Sequence, residues 1–152
     1  MNQSRRQVIQ TLSVLGLAVA AGLIKPTDAL AIEWQGKLFE MKNSDEIMKA
    51  IAGNFEQSGD VLINAPEIAE NGAVVPISVT SNAAKTTTIA ILVEKNPNPL
   101  SSRITIPEGT EPTVTTRVKM AGTSNVHVLV QADGKWLLAT KEIKVTLGGC
   151  GG

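Results

Sequence analysis

The sequence predicts an all-β protein: an immunoglobulin-like β-sandwich with a short helix before it and a flexible glycine-rich arm after it. Two observations lead to this prediction. Helical periodicity is confined to one stretch between Ser44 and Phe55. After Gly59, about seven short runs of β-branched and apolar residues follow one another, and turn-forming dipeptides separate them. A small barrel made of the same strands is the alternative architecture.

The helix is predicted from the spacing of its apolar residues and from its first turn. Apolar side chains recur at three- and four-residue steps from Ile47 to Phe55. Ser44 is a residue type that caps helices, and the acidic Asp45 and Glu46 suit the positive end of the helix dipole. We therefore expect a short helix that packs against the sheet.

The predicted strands share an alternating or continuous apolar pattern. They cover residues 73–79, 86–93, 104–106, 113–120, 127–132, 135–140 and 143–147. Asp133-Gly134, between two of these runs, predicts a two-residue hairpin. Asn71-Gly72 predicts a turn. The sandwich is expected to span residues 32–147 as a single domain of the 152-residue chain.

Residues 1–31 are predicted to be an export signal and not part of the fold. Arg5 and Arg6 precede an uncharged apolar run, 11–24, which is the length of a signal-peptide core and short for a membrane span. Small side chains at the end of the segment predict cleavage after Ala31. The paired arginines favour the twin-arginine route, and hence a periplasmic protein with no membrane contact after cleavage. An uncleaved membrane anchor is the alternative.

Composition excludes several classes of function. The 14 basic and 14 acidic residues balance, which argues against a nucleic-acid binder. The chain has one Cys, one His, two Trp and no Tyr, so it can build neither a disulfide framework nor a cysteine- or histidine-rich metal site. Phosphate-binding loops and nucleophile motifs are missing as well, so we expect no cofactor, no metal and no catalytic residue.

The single cysteine, Cys150, lies between two glycine pairs, directly after the last predicted strand. The flanking residues are Gly148, Gly149, Gly151 and Gly152. Glycine has no Cβ and loses the most entropy on ordering, so residues 148–152 are predicted to form a flexible arm. No charged side chain lies close to the thiol in sequence to activate it. The pattern therefore indicates a covalent carrier thiol that partner enzymes activate.

Four segments of the sequence form a distinctive set. One is Gly-Gly-Cys-Gly-Gly, preceded by residues 144–147. The other three are internal: the first motif (66–76), the second motif (94–100) and the third motif (116–124). Together they resemble the SoxY family, the substrate carriers of bacterial thiosulfate oxidation. The resemblance extends over essentially the whole chain.

This resemblance implies an immunoglobulin-like fold, a SoxZ-like partner subunit in a heterodimer, and a mechanism. A haem enzyme of the SoxAX type would attach thiosulfate to Cys150 as a Cys–S–S–sulfonate, and a SoxB-type hydrolase would release sulfate. The remaining sulfane sulfur would be oxidised by a SoxCD-type dehydrogenase or diverted to sulfur globules. The sequence leaves both of these fates open.

Three other functions compete with the carrier. A stand-alone enzyme is disfavoured, because the sequence offers no metal cluster, phosphate loop, nucleophile elbow or Cys–His pairing. An exported structural or interaction sandwich would use Cys150 only for an intermolecular disulfide. A ubiquitin-like sulfur carrier would be activated with ATP at its terminal carboxylate, and the export signal argues against it. Sulfur bound at Cys150 or at the carboxylate distinguishes the two carriers.

The remaining conspicuous side chains have plain structural interpretations. His127, within an alternating strand, is predicted to be structural, because no second His and no carboxylate cluster lies near it in sequence. Trp34 and Trp136 are predicted to be packing or interface residues. Three basic residues are predicted to lie on a solvated face, with partner contact as the alternative: Arg103, Arg117 and Lys119.

Overall fold

The computed structural model describes residues 36–146. In this range two helices, α1 (Gly36–Glu40) and α2 (Ser44–Ala52), precede the strands. The strands are β1 (Glu56–Gln57), β2 (Val61–Asn64), β3 (Ile68–Ala69), β4 (Val75–Ser81), β5 (Thr86–Val93), β6 (Leu100–Thr105), β7 (Thr113–Val118), β8 (Ser124–Ala132) and β9 (Lys135–Val145). Neither helix is long and apolar enough to cross a bilayer.

The strands form two sheets that pack face to face, which confirms the predicted sandwich. The large sheet has the order β1-β9-β8-β5-β6, and β3 also pairs with β9. The small sheet has the order β2-β4-β7. Inward-facing side chains of both sheets, such as Ile77, Ile91 and Val128, form one apolar core between them. Burial of this core is the main term that stabilises the fold.

The large sheet is covered on its second face by the helices, which explains its apolar strands. Val128 and Val130 of β8 point into the sandwich core, whereas Leu129 between them points to the other face. There Leu129 packs with Leu92, Leu138 and the buried Ile47 of α2. Strands buried on both faces lose the alternating pattern of half-buried strands, and the second half of β5 is continuously apolar and buried.

The predicted helix is present, but its cap is one residue earlier than predicted. The Asn43 side chain, not that of Ser44, accepts hydrogen bonds from the N–H groups of residues 45 and 46, and Ser44 is already helical. Asparagine caps as well as serine does, so residue type alone could not separate the two. The helix ends at Gly53, whose φ is 65°, and Phe55 lies beyond its end. The short helix α1 was not predicted.

The strand predictions need three corrections. The runs 135–140 and 143–147 are one continuous strand, β9, and β6 begins at Leu100 rather than at Ile104. Strands β1, β2 and β3 were not predicted. The remaining predicted strands differ from the observed ones by three residues or fewer at each end.

The predicted hairpin between β8 and β9 is confirmed. Asp133 has a φ of 47° and Gly134 a φ of 77°, the pair of positive values that a type I′ turn requires. The Lys85 Nζ lies 2.9 Å from the Asp133 Oδ1 on the surface. This hydrogen bond and the lysine charge lower the pKa of the Asp133 carboxyl, and the same contact raises the pKa of Lys85.

Candidate functional site

The predicted site residues lie outside the part of the chain that the structure describes. Cys150 and the four glycines around it lie outside residues 36–146, as do Arg5, Arg6, the cleavage position after Ala31, and Trp34. The described chain reaches Thr146, four residues before Cys150. The described residues nearest to Cys150 in sequence are those at the end of β9.

The three internal motifs meet at this end of the sandwich. The first motif contains β3 and the loop that leads into β4. The second motif connects β5 to β6, and the third connects β7 to β8. Because β5 and β9 are both antiparallel to β8, they end on the same side of the large sheet. Segments that lie far apart in the sequence thus surround the last residues of β9.

The second and third motifs are joined through the side chains of Asn96 and Ser124. The Asn96 amide donates to the Lys119 carbonyl at 2.7 Å, and its oxygen accepts from the Ala121 N–H at 3.0 Å. The buried Ser124 hydroxyl accepts from the Lys95 N–H at 3.0 Å. Side-chain bonds to backbone groups order loops that regular pairing does not reach. These contacts fix the loop from residue 119 to residue 123.

The first and third motifs approach each other at Gly72, where only glycine fits. The Met120 N–H donates to the Gly72 carbonyl at 2.7 Å. A Cβ on residue 72 would lie 2.5 Å from the Met120 carbonyl oxygen and 2.9 Å from the Val145 Cγ1. The turn predicted at Asn71-Gly72 is present, since the Val74 N–H donates to the Asn71 carbonyl at 3.4 Å. Gly72 thus allows both neighbouring segments to pack closely.

The last residues of β9 are held on both sides. On one side β3 runs parallel to β9, and the Glu67 and Ala69 carbonyls accept from the N–H groups of Lys144 and Thr146 at 2.9 and 3.1 Å. On the other side the Thr123 hydroxyl accepts from the Val145 N–H at 3.0 Å. The described part of the chain therefore ends at a fixed point on the sandwich, four residues before Cys150.

His127 occupies a polar cluster on the helix-bearing face of the large sheet. Its Nδ1 lies 2.9 Å from the Thr140 hydroxyl, and its Nε2 lies 3.7 Å from the Glu94 carboxylate. Asn125 also donates to that carboxylate, at 2.8 Å. These bonds fit the structural role predicted for His127. The sequence did not predict the Glu94 carboxylate beside His127, because Glu94 follows the neighbouring strand β5 and is far away in sequence.

The other side chains singled out from the sequence lie away from the end of β9 or on the surface. Trp136 is half-buried and packs against the helix-side cluster, as predicted. It also lines an open cavity of about 570 Å³ beside the hairpin, at the opposite end of β9. Arg103, Arg117 and Lys119 are exposed. Among residues 36–146, no three His, Cys, Asp or Glu side chains are grouped so as to hold a metal ion.

A family model described as the sulfur oxidation protein SoxY matches residues 48–150. The chain belongs to the SoxY family. A solved SoxY structure, the sulfur carrier protein from Chlorobium limicola f thiosulfatophilum, is 38% identical, with a TM-score of 0.62. That match covers 68% of this chain and 96% of the solved one. No curated protein matches the chain.

A more distant likeness concerns the fold alone. The superoxide reductase (neelaredoxin) from Ignicoccus hospitalis is 22% identical, with a TM-score of 0.52. The match covers 75% of this chain and all of that one (100%). Sandwich folds are shared by proteins of unrelated function, so only the architecture carries over. The SoxY match, in contrast, includes all three internal motifs and Cys150.

Proposed function

We propose that the protein is a sulfur carrier of the Sox system, which holds intermediates of thiosulfate oxidation on the thiol of Cys150. One observation carries this proposal. The chain's single cysteine lies between two glycine pairs, four residues after Thr146, whose N–H is bonded at the end of β9. Membership of the SoxY family and the likeness to a sulfur carrier protein support it.

The proposed chemistry begins with an oxidation. The Cys150 thiol and thiosulfate lose one proton and two electrons and form Cys–S–S–sulfonate, and a SoxAX-type haem enzyme accepts the electrons. Water then cleaves the bond between the outer sulfur and the sulfonate in a SoxB-type hydrolase. This step gives sulfate and leaves a persulfide on Cys150. The persulfide sulfur is either oxidised by a SoxCD-type enzyme or passed on to sulfur globules.

The carrier itself contributes position rather than catalysis. A covalently held intermediate does not diffuse away between steps, and binding in one geometry converts a bimolecular encounter into a local one. Glycines on both sides of Cys150 have no side chains to collide with the walls of a narrow cleft. Four fully extended residues span about 13 Å, which sets the upper limit on the distance between Thr146 and Cys150.

We also propose that the protein works in the periplasm with a SoxZ-like subunit. Arg5 and Arg6 support export through the twin-arginine route, which transports folded proteins and would let a partner without its own signal cross in the same complex. The periplasmic protein should begin at Ile32. Replacing both arginines by lysine should leave the longer chain in the cytoplasm. N-terminal sequencing of both fractions tests this, and a mature start elsewhere would contradict the cleavage prediction.

The carrier function is tested by mass spectrometry of the peptide that contains Cys150. The protein is purified with its natural partners, thiosulfate is added, and the peptide is weighed. Sulfur adducts are expected on Cys150 and should disappear in Cys150→Ser. A wild-type peptide that stays unmodified while thiosulfate is consumed contradicts the carrier, and a disulfide dimer as the only product supports a crosslinking role instead.

A matched control moves the thiol onto the sandwich. Ser101 on the edge strand β6 is exposed, so Ser101→Cys in the Cys150→Ser background offers an accessible thiol without glycine neighbours. We expect no enzyme-dependent adduct at this position. Equal loading at residue 101 would show that exposure alone suffices and that the glycine-flanked segment has no role.

A further inference from the structure

The strand β9 loses its regular neighbour two residues before its end. β8 begins at Ser124, which pairs with Ile143, so no β8 residue is opposite Val145. The chain turns away at residues 121–123 instead. At this end β9 is paired with a strand, β3, on one side only. A strand end with backbone groups open to water on one side frays more readily than one paired on both sides.

The side chain of Thr123 takes the place of the missing backbone. Its Oγ1 lies 3.0 Å from the Val145 nitrogen, from which it accepts, and 3.5 Å from the Val145 carbonyl oxygen, to which it donates. One hydroxyl has one proton to donate and lone pairs to accept with, so Thr123 satisfies both backbone groups of Val145. The next amide, that of Thr146, is bonded to the Ala69 carbonyl on the opposite side.

We propose that Thr123 is a positioning residue, whose hydroxyl fixes the point at which the Cys150 segment leaves the sandwich. This inference rests on the proposed carrier function. With the contact in place, four residues separate Thr146 from Cys150. Without it, the end of β9 is held only from the other side, by the bonds to the Glu67 and Ala69 carbonyls. When those bonds open, the next firm anchor is Ile143, which is fully buried, and seven residues lead to the thiol.

The longer segment changes how often the thiol meets a partner enzyme's cleft. The effective concentration of a tethered group falls roughly as the −3/2 power of the tether length. In the opened state, the increase from four to seven residues thus lowers it by about twofold, and the direction in which the segment starts is lost as well. Removal of the Thr123 contact makes this opened state more populated. The chemistry at the thiol is unchanged, so the KM of the loading enzyme for the carrier should rise while its kcat stays the same.

The test removes the hydroxyl and keeps the shape. Thr123→Val retains the β-branched side chain, and Thr123→Ser restores the hydroxyl. Thr140→Val is the matched control, because the Thr140 hydroxyl bonds the His127 ring and not the end of β9. In Thr123→Val we expect hydrogen exchange at the Val145 amide to be about fivefold to tenfold faster, with wild-type rates in the serine variant and in Thr140→Val.

The functional measurement is the initial rate of thiosulfate loading against the concentration of the full-length carrier. Thr123→Val should raise KM by up to about twofold at constant kcat. A carrier with three glycines inserted between Thr146 and Leu147 should behave in the same way, although its fold is untouched. Faster exchange at Val145 with a wild-type KM would overturn the proposal, and so would an insertion without effect on KM, even if Thr123→Val did not fold. Failure of the carrier function itself is distinct, because the wild type would then take up no sulfur.

Discussion

Replacing Gly72 with alanine would place a methyl group where the structure has no room for one. The new Cβ would lie 2.5 Å from the Met120 carbonyl oxygen, a backbone atom, and 2.9 Å from the Val145 Cγ1. Cβ contacts below 3.0 Å essentially do not occur, so the two segments must separate by at least about half an ångström. This shift also strains the 2.7 Å bond from the Met120 N–H to the Gly72 carbonyl.

Two opposing terms set the size of the effect. Overpacking a close contact costs about 1–3 kcal/mol. Alanine also restricts the unfolded chain, which stabilises the protein by about 0.4–1 kcal/mol. We therefore expect Gly72→Ala to lower the free energy of unfolding by about 1–2 kcal/mol.

Gly122 provides the matched control in the same group of loops. A Cβ there meets nothing within 4 Å, and the backbone has no positive φ, so Gly122→Ala should be neutral or stabilising by up to about 1 kcal/mol. Urea unfolding followed by tryptophan fluorescence gives both free energies, provided that the m-value is unchanged. If the two variants unfold at the same urea concentration, the close contacts between residue 72 and Met120 and Val145 are contradicted.

Two further predictions concern the helix cap and the surface ion pair. Asn43→Ala should lower the free energy of unfolding by about 1 kcal/mol, because it removes the acceptor of two helix N-terminal amides. Ser44→Ala should change it little. If thermal unfolding shows the same loss of stability in both variants, the assignment of the cap to Asn43 is wrong. Lys85→Met should raise the pKa of Asp133 toward its ordinary value, measured by carbon-13 NMR of the carboxyl. The folded-state pKa of Asp133 is lowered, so the pair stabilises the protein at neutral pH. Its contribution is lost as the pH falls through that pKa, and the stabilities of wild type and variant should converge in acid.

The sequence was sufficient to predict the architecture wherever local patterns decide it. The strand from Thr86 to Val93 and the hairpin at Asp133-Gly134 are as predicted, because apolar runs and a turn with two positive φ values are local signals. Val75, Ile77 and Val79 of the alternating run are buried in β4, whereas Ala73 of the same run is exposed and lies before the strand.

Other features depend on contacts that no local pattern reports. Two separate strands, 135–140 and 143–147, were predicted, but β9 continues through Lys141 and Glu142. Lys141 stays in the strand because its Nζ donates to the Ala65 carbonyl at 2.6 Å, a partner 76 residues away. The role of Thr123 at the end of β9 was likewise invisible, since a threonine before a strand has no distinctive signal. The only available clue was that the third motif contains it.

The edge of β9 has a consequence for how the protein behaves at high concentration. Long open strand edges pair with other chains and lead to aggregation. β9 lies near the border of the large sheet, but β1 pairs with it at Leu137 and Leu138, and β3 pairs with it at Lys144 and Val145. Between these two short strands the charged Lys141 points toward the residue that links β2 to β3. Within residues 36–146 this edge of β9 therefore offers no uninterrupted row of backbone groups, and we expect this border to resist strand-to-strand self-association.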